Sequence, residues 1–169
     1  TLVAGPVHLD TPRGVRRIDV VSAQQMFDAV MPLAATHDVF VATAAVADWR
    51  VAKVASQKIK KKAGAALPTF ELAENPDILA SVAQLNPRPY CVGFAAESEN
   101  LVQHAREKLK RKNLPLIVAN IGAATFGADH NVLTLIDSNG LRELPRADEL
   151  SLARELVREI AARISKTST

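Results

Sequence analysis

The sequence predicts an open, doubly wound α/β sheet, Rossmann-like and mostly parallel, with an antiparallel hairpin at one edge. Three observations carry that expectation. Short runs rich in β-branched residues alternate with segments of helical apolar spacing through most of the chain. The run VFVATAA is continuously apolar rather than alternating, which suits a parallel strand covered on both faces. Towards the end, two runs flank the turn signal DSNG as a hairpin, and an amphipathic helix follows.

Taken in order, TLVAGPV reads as a strand, and after the turn-rich HLDTPRG the run RRIDVV reads as a second. Ser22 is placed to cap a helix in which Met26, Phe27, Val30 and Leu33 recur at helical spacing. Residues 38–45 form the most strand-like run, whereas residues 46–68 show no periodicity. A stretch of about 20 residues without regular structure inside a domain is expected to be a lid or binding loop. TFELAE reads as a short strand, and Asn75, Pro76 and Asp77 as a helix start: a capping side chain, a proline in the first turn, and an acid at the positive helix end. Ile78, Leu79, Val82 and Leu85 give that helix its inner face.

Residues 90–96 predict a strand ending in small residues, and residues 100–113 a helix with Leu101, Val102, Ala105 and Leu109 inward. Lys108 and Lys112 lie one turn apart on a single edge of it. LPLIVAN is a further strand, residues 131–136 and 141–144 form the hairpin, and residues 148–166 the last helix, with Leu152, Leu156, Ile160 and Ile164 in line. In such sheets ligands bind beyond the carboxyl ends of the strands. The strand ends at 44–48, 94–97 and 119–120 are therefore expected to open on one rim.

The 169 residues, 48% hydrophobic and 23% charged, are the ordinary globular mix and predict one domain, residues 1–169, with a core that needs no staples. A single Cys91 rules out an internal disulfide; lying in the apolar run YCVGF, it reads as core filler, and its solitude suits a reducing compartment. No apolar stretch reaches the roughly 20 residues of a membrane span, and no charged-then-apolar signal opens the chain. The expectation is a cytoplasmic protein with no membrane partner. Because Thr1 opens directly into a strand pattern, an upstream element is also expected.

The net charge of +3 is modest, but cations concentrate in QKIKKK, 57–62, and REKLKRK, 106–112. One Trp, one Tyr and five Phe, none inside those runs, leave no stacking platform, so a small polyanion is favoured over a nucleic acid. Phosphate oxygens need converging donors and close backbone approach, which the small residues Ala42, Thr43, Ala44 and Ala45 before the first basic run would allow.

VATAAVADWR, the lysine loop beginning at Lys58, ENPDI, VGFAAE and KLKRKNLPLIVAN occur in an order and spacing that resembles the bacterial phosphopantothenoylcysteine synthetases, usually the C-terminal half of a bifunctional coenzyme A biosynthesis protein. The resemblance covers essentially the whole chain, and five motifs in series make it specific. It implies a ligase that joins L-cysteine to 4'-phosphopantothenate with CTP, through an acyl-cytidylate that the cysteine amine attacks. It implies Mg2+ accompanying the CTP, a homodimer, and fusion to or association with a flavin-dependent phosphopantothenoylcysteine decarboxylase. FMN would belong only to that decarboxylase domain, outside this chain.

Position by position, the likeness puts Ala42, Thr43, Ala44 and Asp48 at the nucleotide. Lys58 matches a nucleotide-contacting lysine on a mobile flap, here residues 46–68, and is the one catalytic candidate. A cation delivered by a closing lid stabilises charge on phosphates while excluding water from an activated acyl group. Lys60, Lys61 and Lys62 carry less weight. Asn75, Pro76, Asp77 and Ile78 match a segment lining the nucleotide, Phe94 a ring at the site, and Lys108 and Lys112 two lysines near the phosphates. No dedicated metal ligands are read, the metal being expected to bind largely through the phosphates.

Two departures stand out. The family's earlier strand and glycine-containing loop, which serve the phosphopantothenate site, are absent from this chain, so it is expected to bind CTP, with catalysis depending on that segment. Asn120 is followed by Ile121 and the loop GAATFGADHN, where the family commonly has Asn-Asp. His37, His104 and His130 are general-base suspects by chemistry alone; none lies in a matched motif, surface histidine is the better reading of each, and a dedicated base is not required. Two rivals remain: a dinucleotide-binding oxidoreductase of the same fold class, although no G-x-G-x-x-G is present, and a non-enzymatic nucleotide- or RNA-binding module.

Overall fold

A computed structural model describes residues 1–60, 68–97, 99–121 and 130–167. They form eleven strands and four helices: β1 Leu2–Ala4, β2 Arg17–Asp19, α1 Ala23–Ala34, β3 Val39–Ala42, β4 Trp49–Val51, β5 Leu72–Glu74, α2 Ile78–Ala83, β6 Tyr90–Glu97, α3 Leu101–Arg111, β7 Leu116–Ile121, β8 His130–Asn131, β9 Thr134–Asp137, β10 Gly140–Glu143, β11 Ala147–Asp148 and α4 Glu149–Thr167. The chain divides into two compact units, Thr1–Val30 with Ala44–Ile78, and Met31–Thr43 with Leu79–Thr169. No helix among the described residues is long and apolar enough to cross a membrane.

The second unit holds the central sheet, in the order β10-β9-β7-β6-β3. Strands β3, β6 and β7 are mutually parallel, while β9 joins β7, and β10 joins β9, antiparallel. The α/β class with a mostly parallel sheet and an antiparallel edge is thus as the sequence predicts. Helices cover both faces for a reason visible in the strand alternation. Val92, Leu116, Val118 and Leu135 point to one side, where Leu152, Leu156 and Ile160 of α4 complete a buried cluster. On the other side Gly93 leaves room for Leu79, Leu114 and Ile117, and Ala105 of α3 is fully buried. The hairpin turn is pinned by Asp137, whose Oδ1 accepts from the backbone N–H groups of Asn139 and Gly140 at 2.7 and 3.1 Å.

One expectation about this sheet is corrected. β3 is its outermost strand, with Val39 and Val41 37% and 40% exposed. A continuous apolar run therefore does not mark a strand covered on both faces here. Its alternate residues Phe40 and Ala42 are the more buried pair, so one face of the strand is packed and the other open.

The first unit carries two short sheets. β1 and β2 pair in parallel, and Arg17 fastens the long connection between them by donating to the carbonyls of Leu9 and Val7 at 2.5 and 3.4 Å. β4 and β5 pair antiparallel, Trp49 opposite Glu74. The stretch 46–68, expected to lack regular structure, thus contributes a three-residue strand. The start of α1 is a reciprocal cap: Ser22 Oγ accepts from the Gln25 N–H at 3.2 Å, and Gln25 Oε1 accepts from the Ser22 N–H at 3.2 Å.

Candidate functional site

Asp48 and Asn75 become neighbours because the β4/β5 ladder runs one step past its last paired strand residues. The Asn75 N–H donates to the Asp48 carbonyl at 2.8 Å, and the Asn75 side-chain amide donates to the Ala47 carbonyl at 2.8 Å. Arg50 reinforces the join, donating from Nη1 to the Glu74 carbonyl and to Asn75 Oδ1 at 3.4 Å. This corrects the reading of Asn75 as a helix cap: its side chain is committed to the facing loop, α2 begins only at Ile78, and Asp77 is the residue that precedes it.

Ala44 and Asp48 are exposed in the same unit, and Ile78 is buried at the head of α2. Lys58 is exposed and makes no hydrogen bond or ion pair with a described residue. Lys61 and Lys62 lie outside the described residues, as does most of the GAATFGADHN loop. The flap also carries apolar side chains that its lysines conceal in the sequence: Val51, Val54 and Ile59, with Phe70 just beyond its end, line an open groove of about 290 Å3 beside Lys53.

In the second unit, parallel pairing brings the carboxyl ends of β3, β6 and β7 to one rim. Ala42, the last residue of β3, pairs with Gly93, next to Phe94; Thr43 follows it, exposed. The Phe94 ring packs against the α4-side cluster of Val92, Leu116 and Val118, so this partly buried ring serves the core. Its carbonyl does something else: Lys108 Nζ donates to it at 2.7 Å. Lys112 is the C-cap residue of α3, one turn beyond. Glu97 ends β6, and His104 Nδ1 lies 3.2 Å from its Oε2. Thus α3 is tied to the β6 rim by two polar links one turn apart.

Arg50 and Glu97 close the motifs VATAAVADWR and VGFAAE, but their partners are not legible in a single sequence, because these sit across a ladder and across a strand–helix connection. His104 is identifiable only by residue type. Among the described residues no group of three His, Cys, Asp or Glu side chains could hold a metal ion. The described chemistry is that of a rim with cations on α3, a carboxylate–imidazole pair, and a braced Asp48 turn in the other unit.

Comparison with known proteins follows the same lines. The family model for the DNA/pantothenate metabolism flavoprotein C-terminal domain matches residues 1–164. The chain is similar to the coenzyme A biosynthesis bifunctional protein CoaBC of Haemophilus influenzae, 46% identical over 99% of this chain and 42% of that protein. It is likewise similar to the CoaBC of Vibrio cholerae, 50% identical over 90% of this chain and 39% of that protein. Among solved structures, the C-terminal domain of a CoaBC protein superposes with a TM-score of 0.80 at 32% identity, covering 98% of this chain and 74% of that one. The chain therefore spans about two fifths of the length of the curated relatives it matches.

Proposed function

We propose, from the premise that this chain belongs to the DNA/pantothenate metabolism flavoprotein C-terminal domain family, that it is the phosphopantothenoylcysteine synthetase part of a coenzyme A biosynthesis protein. The reaction has two steps. The carboxylate of 4'-phosphopantothenate attacks the α-phosphorus of CTP and releases pyrophosphate; the cysteine amine then attacks the acyl carbon, forming the amide as CMP leaves with the bonding electron pair.

The observation that carries this reading is the rim of β3, β6 and β7, where Lys108 is held against the Phe94 carbonyl. Open α/β sheets bind ligands at that end of their strands. Lys108 and Lys112 on α3 suit the phosphates of CTP, and the Asp48–Asn75 brace suits a polar contact to the nucleotide. Lys58 would bring a cation from the flap, whose apolar side chains help exclude water while the acyl group is activated. Magnesium would arrive on the nucleotide phosphates. Relatives named as bifunctional favour a natural polypeptide that also carries the decarboxylase, and a homodimer in the cytoplasm completes the proposal.

Calorimetry with CTP, ATP, NADP and single-stranded RNA, at fixed salt and magnesium, tests it. CTP is expected to bind tightest. An equal response to every polyanion would replace the ligase reading with general electrostatics, and preference for NADP would favour an oxidoreductase.

A further inference from the structure

The synthetase reading leaves the proton released on amide formation without a residue to receive it, and the rim of β6 offers one. Glu97, the last residue of β6, and His104, on the first turns of α3, meet through Oε2 and Nδ1 at 3.2 Å. Their side chains are 27% and 42% exposed, so the pair is reachable from solvent but partly sheltered. A carboxylate on Nδ1 fixes the tautomer with its proton there and leaves Nε2 as the lone-pair acceptor. Nε2 has no hydrogen-bond partner among the described residues.

Other charges lie on or beside the same helix, Glu99 just before it and Arg106 two residues on from His104. On α3 itself Lys108 lies one turn on, bound to the Phe94 carbonyl, and Glu107 is engaged by Gln103 at 3.0 Å. Of the strands α3 packs on, β7 has no titratable side chain, and Asp137 of β9 pairs with Arg163 at 3.4 Å.

We propose that His104 is the general base of the second step, accepting through Nε2 the proton that the cysteine nitrogen sheds as it bonds to the acyl carbon, and that Glu97 is its positioning residue. This rests on the synthetase reading above. The balance is complete: one C–N bond forms, one C–O bond to CMP breaks with its electrons leaving on phosphate, and the amine proton moves to His104 and then to water. A phosphate leaving group needs no acid, so a single base suffices. A mere tether of α3 to β6 would use the same contact, and the two roles differ in what they do to chemistry.

The test uses the full natural polypeptide that carries this chain, with His104→Gln, His104→Phe and Glu97→Gln. Two rates are read: pyrophosphate exchange into CTP driven by 4'-phosphopantothenate, which reports the first step, and CMP release at saturating cysteine, which reports the second. The ratio of second to first is expected to fall roughly 100-fold in His104→Gln, the scale of general-base loss, and about 10-fold in Glu97→Gln, which keeps the imidazole but loosens it. The acid limb of the wild-type CMP-release profile should vanish in both His104 variants. Equal losses in the two rates, or an unchanged acid limb, would overturn the base assignment and leave a tether. A wild-type protein inert in exchange would instead overturn the synthetase reading, and this inference with it.

Discussion

Lys108 Nζ lies 2.7 Å from the carbonyl oxygen of Phe94, so the lysine and the phenylalanine that the sequence assigns to one ligand are joined to each other before any ligand arrives. The link fixes a long side chain that would otherwise sample many rotamers, and it engages a β6 carbonyl one residue past the last β3 pair. Lys108→Met should therefore cost about 1 kcal/mol of stability, the scale of one partly exposed charge-assisted bond, as well as weaken CTP binding. Lys112→Met should also weaken binding. A urea midpoint unchanged from wild type in Lys108→Met would show that the tether contributes nothing.

Gly93 is a packing constraint rather than a conformational one. A Cβ there would stand 2.9 Å from Leu79 Cδ2 and 3.1 Å from Leu114 Cδ1. Both are ends of flexible side chains, so they can give, at the price of a disturbed core. Gly93→Ala is expected to lose about 1–2 kcal/mol in urea denaturation, within the overpacking range, and Gly93→Val more. A neutral Gly93→Val would mean that α2 and the residues after α3 move off the sheet freely.

Periodicity explains what was legible and what was not. The α4 stripe of Leu152, Leu156, Ile160 and Ile164 is read correctly because the helix buries one face against a sheet and exposes the other, which a 3.6-residue period records. β4 escaped because three residues span too little for any period to show, and its pairing with the expected strand β5 joins Trp49 to Glu74 across the flap. The same non-local pairing hid the Asn75–Ala47 bond, so a local capping rule assigned Asn75 to the wrong partner. Edge position was equally invisible: Val39 and Val41 are apolar whether or not another strand lies beside them.

α3 ends in a left-handed residue that is not glycine. Asn113 has φ 51°, its N–H donates to the Lys110 carbonyl at 3.1 Å, and the Leu114 N–H donates to the Leu109 carbonyl at 3.0 Å. These two bonds form a Schellman cap, with buried Leu114 as its apolar contact. Asn113→Gly should be neutral or slightly stabilising, whereas Asn113→Ala should cost about 1 kcal/mol, the left-handed penalty for a Cβ. Thermal unfolding of the pair checks it; Ala matching Gly would mean that the cap is not holding the helix end.

Cys91 is 1% exposed, and burial pushes its thiol above the usual range despite the opposing charge of Arg88. Its Sγ donates to the Pro89 carbonyl at 3.3 Å, which also favours the protonated form. The thiolate is the reactive species, so an aromatic disulfide reagent at pH 8 should leave the native protein unmodified and titrate one thiol in denaturant. Rapid labelling of native protein would show that β6 opens readily.

Asp148 begins α4 through two bonds to one residue: Oδ1 accepts from the Ser151 N–H at 3.0 Å and Oδ2 from the Ser151 hydroxyl at 2.6 Å. These bonds, the hydroxyl's first, hold the carboxyl below the ordinary aspartate range. A depressed native value means that the unfolded chain takes up the proton first as the solution is acidified. The stabilisation is therefore complete above the unfolded value of about 3.9 and is lost as pH falls towards and through the folded one. Asp148→Asn keeps an acceptor for the Ser151 N–H but neither titrates nor complements the positive helix end. Its urea midpoint should lie below wild type at pH 7, and the gap should narrow as pH falls below the unfolded value of about 3.9 towards and through the lower folded one. Asp148→Ala, which removes the acceptor as well, should stay below both across that range. A wild-type advantage over Asp148→Asn that persisted unchanged at low pH would show that the cap acts through shape alone and that the charge is fully screened by water.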